Sequence, residues 1–91
     1  MKYRVEQTST FRKDLKKALK RGKDKTKLLE IVRLLADGRP LPEHCKDHAL
    51  IGDLTGFRDC HIEPDWLLIY AIDQGALVLS LTRTGTHADL F

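Results

Sequence analysis

The run Trp66-Leu-Leu-Ile-Tyr-Ala-Ile72 constrains this chain more than any other stretch. It is apolar at consecutive positions, so a strand built from it is covered on both faces and lies centrally in a sheet. Neighbours are at hand. Phe57–Glu63, FRDCHIE, precedes it through a Pro64-Asp65 turn, and Ala76–Thr82, ALVLSLT, follows it through Asp73-Gln74-Gly75. Sequential strands with short connections predict an antiparallel meander. Tyr3–Thr8, YRVEQT, alternates apolar and polar residues and reads as a first strand.

Two helical patterns follow that first strand. Phe11, Leu15, Ala18 and Leu19 recur at helical spacing, with Ser9 or Thr10 as cap and Gly22 as stop. Leu28, Ile31, Val32 and Leu35 make a second stripe, between an Asp24 cap and a Gly38 stop. The short Gly22-Lys23-Asp24 connection makes the pair an αα-hairpin. Arg39–His48, RPLPEHCKDH, holds two prolines and is expected to be an ordered loop without regular structure. The predicted architecture is an α+β sandwich of order β-α-α-β-β-β, an antiparallel sheet with a helical hairpin on one face. At 91 residues it should be one domain, 1–91, with a modest core.

Charge is divided along the chain. Residues 1–39 hold 13 Lys/Arg against 5 Asp/Glu, and residues 40–91 hold 3 against 8. Lys13, Lys16, Lys17 and Lys20 form the polar face of the first helix. Such a face suits a polyanion, and it equally suits plain solvation. Two cysteines, Cys45 and Cys60, do not make a disulfide framework. There is no apolar run for a signal peptide and no stretch of membrane-spanning length, so a cytoplasmic protein with no membrane partner is expected.

All four histidines fall in the second half of the chain. In the 57–63 strand, Cys60 and Ile62 share one face, which should be the core, and Asp59 and His61 share the other. His48 precedes the sheet, Asp65 sits in the adjacent turn, and Arg83 and His87 leave the last strand. Together these suit phosphodiester cleavage in RNA. The reaction needs a base for the 2′-OH and an acid for the leaving 5′-oxygen, and imidazole serves as either near neutrality. It also needs a cation for the charge on the phosphorane, which an arginine fork supplies. Trp66 and Phe91 could stack on unpaired bases, although Trp66 could equally be core. Zinc binding by His44, Cys45, His48, Cys60 and His61 is a rival use of the same stretch. Without a CxxC pair or a helical HExxH it is not favoured, and neither metal nor cofactor is expected. A basic nucleic-acid-binding regulator without chemistry is the alternative from another class.

The strings KDHxLxG, GxRDxHxEPDWxLIY and RTGTHxxLF lie within Pro40–Tyr70 and Arg83–Phe91. On them the chain resembles the RelE superfamily of toxins from bacterial type II toxin–antitoxin systems, most closely its YafQ branch. The resemblance implies a ribosome-dependent endoribonuclease that cuts mRNA in the A site of the 70S ribosome. It implies a fold of the microbial ribonuclease type, with no metal. The branch's functional histidines and aspartate fall on His48, His61, Asp65 and His87, its phosphate-binding arginine on Arg83, and its mRNA-contacting aromatics on Trp66 and Phe91. His87 would be the general acid and His48 or His61 the base. A cognate antitoxin that folds on binding is the implied partner, with operator DNA reached only through the antitoxin complex.

The stretch RTGTHADLF carries a structural condition of its own. Strand parity puts Arg83 on the side of Leu81, so the strand must end or bulge at Thr82 if Arg83 is to leave the core side. Gly85 is expected as a bend after the last strand.

Overall fold

The strand β4 (Trp66–Asp73) occupies the centre of the sheet, as its apolar run demands. The computed structural model describes every residue from Met1 to Phe91. Around β4 the chain forms β1 (Arg4–Gln7), α1 (Ser9–Lys20), α2 (Lys25–Ala36), β2 (His48–Ala49), β3 (Arg58–Glu63), β5 (Val78–Gly85) and α3 (His87–Leu90). The strand order is β1-β5-β4-β3-β2. No helix is long and apolar enough to cross a membrane.

The core lies between one face of the sheet and the helical hairpin. Phe11 and Ala18 of α1 and Leu28, Ile31 and Leu35 of α2 pack with Cys60, Leu68, Tyr70, Leu79 and Leu81. Leu67 and Ile69 are as buried as these residues but point to the other face, which explains why β4 needs apolar residues in succession. Leu19 of α1 faces solvent.

Several expectations change. The pairs from β2 to β5 are antiparallel, but β1 lies parallel to β5, from Arg4 opposite Val78 to Gln7 opposite Leu81. Alternation tells which face a strand buries, not which neighbour it pairs with or in which direction. The first helix is capped by Thr8, not Ser9 or Thr10. Its hydroxyl accepts from the Phe11 N–H at 2.9 Å and donates to the Thr82 carbonyl at 2.8 Å, so one side chain starts α1 and ties it to β5. Asp24 caps α2 through the Thr26 N–H, as expected, and Gly22 and Gly38 adopt positive φ beyond the helix ends. The 39–48 loop holds a 3₁₀ turn at Glu43–Cys45 and enters β2 at His48. The last strand starts at Val78 and runs to Gly85, and α3 follows it.

Candidate active site

Residues opposite each other on adjacent strands share a face. One row runs His48, Asp59, Ile69, Arg83, and the next runs His61, Leu67, Gly85. Their alternates Cys60, Leu68 and Leu81 belong to the helical core, so both rows lie on the face away from the helices. Arg83 reaches its row through a β-bulge. Ile69 lies opposite Arg83 and Tyr70 opposite Leu81, which leaves Thr82 as the extra residue. The condition at Thr82 is met by a bulge, with the strand continuing past it.

Asp65 and His87 meet where the β3–β4 turn faces the start of α3. The Asp65 carboxylate accepts from His87 twice, from the backbone N–H at 2.9 Å and from Nδ1 at 2.6 Å. A carboxylate only accepts, so Nδ1 carries the hydrogen and Nε2 points away. The His87 backbone N–H, and then its ring, hold the Asp65 carboxyl below the usual carboxylate range. The His61 ring stands edge-on to His87, centroids 5.4 Å apart at 76°.

His48 donates from Nδ1 to the Lys46 carbonyl at 2.7 Å, which places Nε2 3.9 Å from the Asp59 carboxylate. Asp59 is buried, and its Oδ1 meets no protein donor. The loop under His48 is pinned by Asp47, which accepts from the Tyr70 hydroxyl and the Arg58 Nε. Arg83 turns over the edge of β5 to α1, where its Nε and Nη2 donate to Asp14 at 2.9 and 3.0 Å.

The helix α3 is short but well fixed. Thr86 and Asp89 form a reciprocal capping box, and Asp89 also takes Lys17 of α1 at 3.7 Å and Arg21, just past the end of α1, at 2.9 Å. The Thr86 N–H and the Arg21 guanidinium drive the Asp89 carboxyl far down. Gly85 does not have positive φ. A Cβ there would stand 2.9 Å from the Asp89 Cβ, so this glycine permits close approach of α3 rather than a bend.

The structure thus joins Asp65, His61 and His87 directly and sets His48 on the same face beside Asp59. Arg83 is drawn to Asp14. Phe91 is exposed, with its N–H on the His87 carbonyl at 2.8 Å. Lys13, Lys16 and Lys20 are exposed along α1, and Lys17 is exposed beside Asp89. Trp66 is a correction. It is 1 % exposed, and its Nε1–H donates to the Thr84 hydroxyl at 2.9 Å, so no ring face is open to a base. The side chains weighed as zinc ligands lie apart in burial. His44 and His48 are exposed while Cys45 and Cys60 lie in the core, and no three His, Cys, Asp or Glu side chains are arranged to hold a metal ion. Burial pushes the Cys60 thiol far up, which removes it as a nucleophile. Asp14, Asp59 and Asp89 were missed from sequence. Asp14 had one signal, being a lone acid on a basic helix, and Asp89 had another, in its capping-box spacing from Thr86.

Known proteins resemble this chain over nearly its whole length. The mRNA interferase toxin YafQ of Escherichia coli K12 is 47% identical over 88 residues, 96% of this chain and 94% of that one. The crystal structure of the Escherichia coli DinJ-YafQ complex matches with TM-score 0.89 at 46% identity, covering 98% of both chains. A metal-bound toxin from Helicobacter pylori matches with TM-score 0.93 at 43% identity over 100% of both. A family model described as the bacterial toxin of type II toxin-antitoxin systems, YafQ, matches residues 3–91. The chain belongs to the YafQ family of bacterial toxins.

Proposed function

We propose that this protein is the toxin of a type II toxin–antitoxin pair and an mRNA interferase that cuts messenger RNA in the ribosomal A site by acid–base chemistry. The observation that carries this is the Asp65–His87 pair with His61 edge-on to it. With Nδ1 committed to Asp65, His87 has one proton to deliver, from Nε2. Asp65 fixes the ring so that this nitrogen faces outward, which fits a general acid for the 5′-oxygen. His48, held through Nδ1 by the Lys46 carbonyl, offers its Nε2 lone pair as a base for the 2′-OH, and His61 is the second base on the same face. Arg83 would stabilise charge on the phosphorane. The products are a 2′,3′-cyclic phosphate and a 5′-OH. Phe91 has the exposed ring that stacking on an mRNA base requires.

The relative from Helicobacter pylori carries a metal, but the side chains here make no three-ligand centre, and no step is routed through one. The exposed lysines of α1 would meet ribosomal RNA through phosphate contacts. The Escherichia coli relative in complex with DinJ supports a cognate antitoxin here as well, and operator DNA would be bound through that complex.

The test is cleavage of mRNA with and without programmed ribosomes, in the presence and absence of chelator, with mapped ends. Chelator-insensitive cuts on the ribosome alone, lost in His87→Ala, are expected. Equal cleavage of free RNA overturns ribosome dependence, and loss with chelator overturns metal independence. No cleavage in any arm favours a binding regulator.

A further inference from the structure

The helix α1 carries one acidic residue, Asp14, among five lysines and arginines. Its natural partner on the helix surface is Lys17, one turn ahead. Lys17 instead turns to Asp89, and Asp14 turns inward to β5. There one carboxylate takes three donors: Arg83 Nε at 2.9 Å, Arg83 Nη2 at 3.0 Å and the Thr84 backbone N–H at 3.2 Å.

We propose that Asp14 is a positioning residue for the cleavage reaction, which fixes the Arg83 guanidinium so that its free edge meets the phosphate. This rests on the role of Arg83 given above. A guanidinium has five N–H donors in a planar fork. Asp14 occupies the Nε–Nη2 edge, which leaves Nη1 and the second Nη2 hydrogen as a matched pair for a phosphate. Burial sets the direction of the device. The Asp14 side chain is 14% exposed and that of Arg83 40%, so the anchor lies inside and the fork reaches outward.

Local structure explains why a carboxylate is needed. β1 covers β5 only as far as Leu81, and past the Thr82 bulge the edge of β5 meets α1 instead of a strand. The Thr84 N–H alone could be capped by any acceptor. Holding both fork nitrogens and the backbone N–H at once takes an ionised acid. α1 therefore replaces the missing strand and aims the arginine with the same side chain.

The experiment is a double-mutant cycle in single-turnover cleavage on programmed ribosomes, using wild type, Asp14→Asn, Arg83→Ala and the double variant. Asparagine keeps an acceptor for the Thr84 N–H but cannot clamp the fork. Asp14→Asn is expected to lower the rate at saturating toxin on the order of 10- to 100-fold, as misplaced catalytic groups do. The half-saturating concentration stays unchanged, and in the Arg83→Ala background the substitution has no further effect. An equal fractional loss in both backgrounds, or a rate at or above wild type for Asp14→Asn, overturns the proposal. If Arg83→Ala itself cleaves at the wild-type rate, the role of Arg83 falls and this proposal with it, whereas an impaired Arg83→Ala beside a normal Asp14→Asn sinks this proposal alone. Should Asp14→Asn fail to fold by circular dichroism, Asp14→Glu keeps the charge and displaces it by one methylene. It should lose rate by a smaller factor, again only when Arg83 is present, and a loss independent of Arg83 overturns the proposal.

Discussion

Asp65 is half exposed or more, yet the hydrogen bond it accepts from His87 is among the shortest between side chains in the molecule. The carboxylate fixes the His87 ring through Nδ1, so an amide in its place loosens the orientation of that ring. Asp65→Asn should reduce the maximum of the pH–rate profile. An Asp65→Asn profile that superimposes on wild type sinks the role given to the pair. His87→Ala should cost on the order of 10²- to 10⁴-fold, the range of general acid catalysis. Trp66 makes the opposite case. Its indole fills the core and donates to Thr84, whose hydroxyl in turn donates to the Leu67 carbonyl at 2.6 Å. Trp66→Phe removes one buried donor and some volume, which together cost about 1–3 kcal/mol. Chemical denaturation should read that loss while the rate per folded molecule stays near wild type. A large rate loss without a stability loss would return Trp66 to the RNA.

At the scale of elements, the legible parts of the sequence were those whose signal is local. The unbroken apolar run of β4, the Asp24 cap and the Gly22 and Gly38 stops all sit within a few residues of what they determine. The parity argument at Thr82 succeeded for the same reason, because period-2 alternation is fixed by the backbone. What was not legible depends on distant partners. β1 runs parallel to β5 across more than seventy residues of sequence, and Thr8 was missed as a cap because half its work is the bond to Thr82. The site was legible as a set of residue types, but the pairing of Asp14 with Arg83 and the burial of Asp59 and Trp66 needed the folded sheet. α3 is held from outside itself, and Gly85 shows how tightly. A methyl group there meets Asp89 at 2.9 Å, so Gly85→Ala must push α3 off β5. It should destabilise the fold by about 1–3 kcal/mol, as overpacking does, and lower activity more than stability because His87 moves with the helix. Unchanged kinetics in a folded Gly85→Ala protein would mean that α3 need not lie where it does.

Over the whole molecule, three carboxylates link segments around one end of the sheet. Glu63 at the end of β3 takes Lys23 of the helix connection and Lys27 from the start of α2, Asp65 takes His87, and Asp89 takes Lys17 of α1 and Arg21 just past its end. The links run from the helical hairpin to β3, through the turn to α3, and back to α1. Each of the three is held below its ordinary range: Glu63 by bonds from Lys27 and Lys23, Asp65 by the His87 backbone and ring, and Asp89 by the Thr86 N–H and Arg21. A carboxylate depressed in the folded state binds its proton first in the unfolded chain. Its contribution is therefore complete above the unfolded value near ~4 and is lost as pH falls through the folded value. The groups face solvent, so each contribution is modest and screened by salt. A Glu63→Gln, Asp65→Asn, Asp89→Asn triple variant should melt below wild type at pH 6 in low salt. The gap should narrow as pH is lowered from about 4 toward 2, as the wild-type carboxylates begin to take up protons. Added salt should narrow the gap at pH 6. A gap that stays constant down to pH 2 would mean that the three side chains act through packing, and that no electrostatic ring ties the Asp65 turn and the 83–91 tail to the helices.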